Sequence, residues 1–295
     1  MPGWTGRHVR HAAEVVKQGW NPAARVYESI GSDFFLALAP GWLNLGLWDG
    51  PGSEDEAEEA CKRLVSTLAS ALPRGGVVLD VGNGLGTQDP LVAEVACPRR
   101  LVAVNITEWQ LTAGRGRLRE AAAAPVAGDA ARLPIADGTA DGIISVEAAF
   151  HFRSRKAFFG ECYRVLRPGG VLSISDISVQ RWPVTPAEVV SALTQLRLFG
   201  LRRSMAMTAG QIAAAAAAAG LADVEVTPCG ERVIGPALRL TSARLAGATA
   251  APFGGATAAP PGQQAAARLL LRQVDLLWRR RIVDYLLIRA TRPSG

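Results

Sequence analysis

The stretch Val77-Val-Leu-Asp-Val-Gly-Asn-Gly-Leu-Gly86 decides the fold class of this chain. Val77, Val78, Leu79 and Val81 are β-compatible apolar residues around a single acid, Asp80. Gly82, Gly84 and Gly86 then follow at alternate positions. The pattern predicts a buried strand that stops in a glycine-rich turn. Glycine lacks a Cβ and tolerates positive φ, so such a turn lets backbone come close to a ligand. Open α/β sheets take their ligands at strand ends of this kind. The spacing is G-x-G-x-G, not G-x-G-x-x-G, and no Lys-Ser or Lys-Thr pair follows. That argues against a Walker-type phosphate loop and against a dinucleotide fingerprint.

Outward from this motif, strand and helix patterns alternate. Asp89 to Ala96 reads as a short helix, Leu101-Val-Ala-Val104 as the second strand, and Glu108 to Ala124 as a helix rich in Ala, Leu and Arg. Pro125 to Asp129 reads as a third strand, and Gly142-Ile-Ile-Ser-Val146 as a fourth with the apolar character of a central parallel strand. Lys156 to Leu166 reads as a helix ended by the breaker cluster Arg167-Pro-Gly-Gly170, and Val171 to Ser175 as the fifth strand. Thr208 to Gly220 is a helix, Val224 to Thr227 a sixth strand, and Tyr285 to Arg289 a seventh. The alternation predicts an α/β fold: a Rossmann-like, seven-stranded, mostly parallel sheet with helices on both faces.

Three segments fall outside that rhythm. Residues 1–70 read as a mainly helical N-terminal segment, holding Trp4, Trp20, Trp42 and Trp48, that could serve as a lid or simply complete the core. Residues 71–178 are the expected ligand-binding core, and 179–207 a cap insertion with one helix around Ala187 to Leu198. Residues 208–295 read as the C-terminal part of the same core, interrupted by a Gly/Ala/Pro/Gln-rich flexible loop at 247–264.

Composition narrows the function classes. The chain has 295 residues, 49% apolar and 20% charged, which suits a globular core. Its net charge of +6 rests on arginines that are scattered apart from Arg279-Arg-Arg281, with lysine only at Lys17, Lys62 and Lys156. A nucleic-acid surface calls for a clustered basic stripe, so none is expected. Cys61, Cys97, Cys162 and Cys229 are far apart and form no C-x-x-C pair, so no metal site is expected. Apolar runs fall short of the ~18 residues that span a bilayer. The N-terminus lacks the apolar core of a signal peptide, which points to a reducing, cytoplasmic setting without a membrane partner. A homo-oligomer is left open.

Polar residues recur just past each of the first four strands. After the first come Asp80, Gly82, Asn83, Gly84 and Gly86; after the second, Asn105, Thr107 and Gln110; after the third, Asp129 and Ala130; after the fourth, Glu147 and then Phe150 and His151. Asp129 or Thr107 alone could be a helix N-cap. Together these residues line the place where a ligand would lie across the strand ends.

The chain resembles the class I S-adenosylmethionine-dependent methyltransferases over roughly residues 60–290. The resemblance rests on Val78-Leu-Asp-Val-Gly-Asn-Gly-Leu-Gly86, Gly128-Asp-Ala-Ala-Arg-Leu-Pro134 and Arg164-Val-Leu-Arg-Pro-Gly-Gly170, in the family's order and spacing. It implies S-adenosyl-L-methionine as cofactor and a last strand that runs antiparallel. It implies further that Asp80 and the glycine turn pass under the methionine part and that Asp129 and the Ala130 amide meet the adenine. The family's usual ribose acid is replaced by Asn105, with Gln110 as second ribose ligand, as in one subgroup with a similar Asn-Ile-Thr-Glu-Trp-Gln run. Asn83 stands where a cysteine is commoner.

Methyl transfer from a sulfonium is an in-line displacement that needs an oriented nucleophile and a place for its proton. His151 is the candidate base: imidazole titrates near neutrality, and this is the one histidine outside the N-terminal segment. A packing or capping role is the plain alternative. Glu147-Ala-Ala-Phe-His-Phe-Arg-Ser-Arg155 and Leu43-Asn-Leu-Gly-Leu-Trp48 resemble the natural-product branch, similar to macrolide sugar O-methyltransferases. That implies O-methylation of a small acceptor, with Tyr27, Trp42, Trp48 and Phe150 as candidate substrate contacts. Methylation at carbon of an isoprenoid or polyketide skeleton stays open, as does a cofactor-binding cyclase of the same fold. The tetrapeptide after the fourth strand, Glu147-Ala-Ala-Phe150, lacks the prolines expected of a base-flipping amino methyltransferase.

Overall fold

The computed structural model describes residues 37–198, 206–247 and 261–294. Seven strands form one sheet: β1 (Val77–Val81), β2 (Arg100–Asn105), β3 (Ala123–Ala127), β4 (Ala140–Ser145), β5 (Leu166–Val179), β6 (Ala222–Pro228) and β7 (Val283–Thr291). Their order across the sheet is β3-β2-β1-β4-β5-β7-β6. β1 pairs in parallel with β2 on one side and β4 on the other; β2–β3 and β4–β5 are parallel too, and β6–β7 is antiparallel. The expected α/β sheet is therefore present, mostly parallel with one antiparallel hairpin. Strand order reverses between β1 and β4, and it is at such a switch point that a crevice opens at the carboxyl ends. The central strands carry apolar residues toward both faces because both are covered: Leu79, Ile143, Ile144 and Leu172 are buried.

The helices are α1 (Ala57–Ser70), α2 (Asp89–Ala96), α3 (Glu108–Ala113), α4 (Arg115–Glu120), α5 (Arg155–Val165), α6 (Pro186–Leu198), α7 (Ala209–Ala218), α8 (Gly230–Leu245) and α9 (Pro261–Arg279). α7 opens with a capping box in which the Thr208 hydroxyl accepts from the Gln211 N–H and the Gln211 side chain returns the bond.

Several boundaries differ from expectation. The helix expected over Glu108 to Ala124 is two helices and the start of β3. It divides at Gly114, where a Cβ would stand 2.4 Å from the Leu85 carbonyl oxygen, and stops at Glu120, before a left-handed turn residue at Ala122 with φ of 50°. The expected breaker Arg167-Pro-Gly-Gly170 lies inside β5. Leu166 pairs with Ala140 and Val171 with Gly142, so the intervening residues bulge from the ladder without ending the strand. α8 and α9 were not expected. Gly230, Gly235 and Pro236 disguise α8, although Val233, Ala237, Leu240 and Thr241 are buried at helical spacing. The last residues of the expected loop, 261–264, already belong to α9, while 248–260 lie outside the described residues, as does the expected helical stretch at 1–36. Residues 37–56 form turns and loop.

The described chain divides into two compact units. One comprises 62–178, 206–229 and 285–294 and contains nearly all of the sheet. The other comprises 37–61, 179–198, 230–247 and 261–284. In that second unit the Arg244 guanidinium holds Glu54 and the carbonyl oxygens of Ala37 and Leu38, and the Arg232 carbonyl accepts from the Trp48 N–H at 2.8 Å.

Candidate functional site

β1 delivers the glycine turn to the switch point. Gly82 takes φ of 82°, and its N–H donates to the Val104 carbonyl at 2.7 Å, tying the turn to β2. A Cβ on Gly82 would meet the Ala148 Cβ at 2.4 Å, so the segment after β4 closes directly on the turn. Behind the turn lie two acids. Asp80 is 0% exposed and accepts from Gln88 Nε2 at 2.7 Å; Asp89, the first residue of α2, is equally buried and accepts from Asn83 Nδ2 at 3.0 Å. Burial, and then the charge of Asp89, push the Asp80 carboxyl well above the usual carboxylate range against the Gln88 bond. Burial raises Asp89 to about 7 against the bond from Asn83. Fully buried, the Asp80 carboxyl is out of reach of direct contact with a ligand on the turn.

The end of β2 is a knot of side-chain amides. Asn105 Nδ2 donates to Gln110 Oε1 at 3.0 Å, to the Gly84 carbonyl at 3.2 Å and to Asn83 Oδ1 at 3.4 Å, while Asn105 Oδ1 accepts from the Thr107 N–H at 2.9 Å. Asn83, Asn105, Thr107 and Gln110 are all buried. Asn105 thus fastens the glycine turn to the loop after β2, a role for which an acid, lacking donors, is unsuited. With Gln110 Oε1 occupied, its Nε2 has no acceptor among the described residues. Between Asn105 and Thr107 stands Ile106, 47% exposed at the end of β2. Sequence reading passed over Ile106, Gln88 and Asp89; an apolar residue set between two polar ones was the available signal for the first.

After β3, Asp129 Oδ1 accepts from the Ala131 N–H at 2.8 Å, and its Oδ2 lies 3.8 Å from the Arg153 guanidinium. Ala130 beside it is buried. After β4, Glu147 adopts φ of 50°, a left-handed conformation that costs a non-glycine residue energy and marks functional sites. Two groups hold it there: its N–H donates to Ser175 Oγ at 3.0 Å, and Tyr285 donates its hydroxyl to Glu147 Oε1 at 2.8 Å. Burial, and then the charge of Glu147, push the Tyr285 phenol well above its usual range, so it stays a donor. A single 3-10 turn, Ala149–His151, follows, with the His151 ring packed against Phe150 at 4.2 Å between centroids. His151 is half-buried. The next helix, α5, starts from a buried ion pair: Arg155 Nε and Nη2 donate to the two Asp176 oxygens at 2.7 and 2.9 Å.

The turn, the β2 knot, Asp129, Glu147, Phe150 and His151 all belong to the sheet-containing unit, whereas Trp42 and Trp48 belong to the other. Trp48 is 1% exposed and donates its indole N–H to the Leu45 carbonyl at 2.8 Å. Tyr27 lies outside the described residues. Among the described residues no group of His, Cys, Asp and Glu could hold a metal ion, and no helix is long and apolar enough to cross a membrane.

Residues 79–174, which run from β1 through this whole ring of strand ends into β5, match the family model described as a methyltransferase domain. This stretch is a methyltransferase domain. The chain is 37% identical over 168 residues to erythromycin 3''-O-methyltransferase of Saccharopolyspora erythraea, covering 52% of each chain. It is 33% identical over 180 residues to sterol 24-C-methyltransferase of Eremothecium gossypii, covering 59% of this chain and 47% of that one. The chain spans about half the length of the curated relatives it matches. In fold, the chain superposes on a putative sarcosine dimethylglycine methyltransferase from Galdieria sulphuraria with a TM-score of 0.73 at 20% identity, covering 89% of this chain and 98% of that one.

Proposed function

We propose that this protein transfers a methyl group from S-adenosylmethionine to a hydroxyl of a small natural product, with His151 as the proton acceptor. The observation that carries the reading is the convergence of the glycine turn, the Asn105–Gln110 knot, Asp129 and the Glu147–His151 segment at the ends of four adjacent strands.

The cofactor of the methyltransferase domain is S-adenosylmethionine. When bound, it supplies an electrophilic methyl group on a positively charged sulfur. The residues suit such a group: a cation finds two buried acids behind the turn, each with one oxygen that lacks a partner among the described residues. Gly82, Gly84 and Gly86 give backbone access to the methionine part. Gln110 Nε2, without an acceptor among the described residues, would donate to a ribose hydroxyl. Ile106 offers an apolar face to a flat base, and Asp129 Oδ2 can accept from its amino group.

His151, on the 3-10 turn with its ring packed against Phe150, takes the proton of the attacking hydroxyl. Glu147, held by the Tyr285 hydroxyl, accepts a hydrogen bond from the acceptor and orients it. The 37% identity to an O-methyltransferase favours oxygen as the nucleophile. A carbon acceptor is the second reading, favoured by the 33% identity to a sterol C-methyltransferase. In that case Glu147 and the Phe150 face would stabilise a developing carbocation.

The test is transfer of an isotopically labelled methyl group to glycosylated macrolides, phenolic polyketides and sterols, with the product carbon assigned by NMR. A methoxy signal is expected. A C-methyl signal selects the second reading, and cofactor binding without transfer to any acceptor defeats both.

A further inference from the structure

The methyl-transfer step itself gives Asp89 no part. We propose that Asp89, paired with Asp80 beneath the glycine turn, reads the positive charge of the cofactor. The pair holds a proton in the ligand-free protein and gives it to solvent when S-adenosylmethionine binds, so the sulfonium form is preferred over its thioether product. The inference rests on S-adenosylmethionine as the ligand of the turn.

The geometry is specific. The two acids flank the turn, Asp80 from the strand before it and Asp89 from the helix after it. Each is tied to the intervening segment by one amide, Gln88 Nε2 to Asp80 Oδ2 and Asn83 Nδ2 to Asp89 Oδ2. Asn83 in turn accepts from Asn105, so the pair is wired into the knot at the end of β2. A Cβ on Gly86 would stand 3.3 Å from Asp89 Oδ2, which places that carboxyl against the backbone of the turn. Asp80 Oδ1 and Asp89 Oδ1 are buried with no hydrogen-bond partner among the described residues. Two carboxylates buried as neighbours, without a cation, cannot both stay ionised.

Other charged groups are near but do not neutralise the pair. On α4, Arg117 spends its guanidinium on the Leu85 carbonyl at 3.3 Å, and Arg115 and Arg119 share that helix. Glu94 lies on α2 itself and Glu108 opens α3. Glu147 and His151 lie on the segment whose Ala148 and Phe152 pack on Gly82. No described side chain other than Gln88 and Asn83 hydrogen bonds to the pair. A cation on the turn would act on the pair through a poorly screened, water-free interior.

The sign follows. Burial holds Asp89 at about 7, so it is neutral below that pH and ionised above it. A bound cation favours the ionised form and lowers that value. Binding therefore releases a proton just below neutrality, and affinity rises with pH up to about 7, by at most about tenfold per pH unit for one proton. S-adenosylhomocysteine lacks the sulfonium charge and should release less.

Calorimetry at pH 6.5 in two buffers of different ionisation enthalpy measures the proton directly, with S-adenosylmethionine and S-adenosylhomocysteine as probes. The full-length wild-type protein is expected to release a substantial fraction of one proton with the first and less with the second. Its preference for the first is expected to grow several-fold from pH 5.5 to 7.5. Asp89→Asn should abolish both the release and the pH dependence. Binding with a buffer-independent enthalpy, or equal release by both ligands, overturns the charge-reading role while leaving the cofactor assignment intact. Failure of the wild type to bind either ligand overturns both.

Discussion

The turn after β1 and the turn after β4 meet at Gly82 and Ala148, yet they are built on opposite principles. Around the first, polar side chains are buried and spent on one another: Asn105 alone makes three donations, to Gln110, Gly84 and Asn83. Around the second, the groups that matter are only half-buried, and one of them, Glu147, is held in a strained backbone conformation by Ser175 and Tyr285. A ligand that stays constant suits a preorganised cradle. A reacting group has to be presented to a second molecule, and that presentation stores strain.

The contrast can be broken at its support. Arg155 and Asp176 anchor the start of α5 just beyond the second turn, and both are buried. Removing one partner strands the other charge in the interior, so Arg155→Ala should cost about 3–5 kcal/mol in urea unfolding. A loss below 1 kcal/mol would mean that water reaches the site and that the second turn is not rigidly seated.

The next effect separates the two turns functionally. His151→Ala should lower kcat by about 10²–10⁴-fold, the usual contribution of a general base, while calorimetric affinity for S-adenosylmethionine stays unchanged. An equal loss of cofactor affinity would place His151 in the cradle instead. The smallest effect probes the cradle. Asn105→Ala leaves Gln110 and the Gly84 carbonyl without their donor, worth about 1–3 kcal/mol, and should weaken cofactor binding roughly tenfold with kcat at saturation preserved. Asn105→Asp tests the same point in reverse. If an acid there bound the cofactor more tightly, the donor role of Asn105 would be secondary.

Much of the first turn was legible in sequence, because it is local. Val77–Val81 and Asp89–Ala96 lie where apolar alternation and the glycine spacing placed them. Legibility failed where a distant segment decided the outcome. Residue 114 is glycine because the Leu85 backbone leaves no room for a Cβ, and Arg167-Pro-Gly-Gly170 stays in β5 because β4 continues the ladder on either side of the bulge. α8 was hidden by glycines and a proline that intrinsic propensity penalises but tertiary burial of Val233, Ala237 and Leu240 overrides.

The sequence by itself determined the parallel sheet, the glycine turn and the set of polar residues at four strand ends. Hydrophobic periodicity and glycine spacing are short-range signals that each segment carries alone. Tertiary structure alone decided which of those residues face each other and which face a ligand. It gave Asn105 its three acceptors, set Tyr285 against Glu147 across 138 positions of chain, and buried Asp80 and Asp89 together behind the turn. Hydrogen-bond partners and desolvation are properties of positions in space, and packing had to bring those positions together before either had a value.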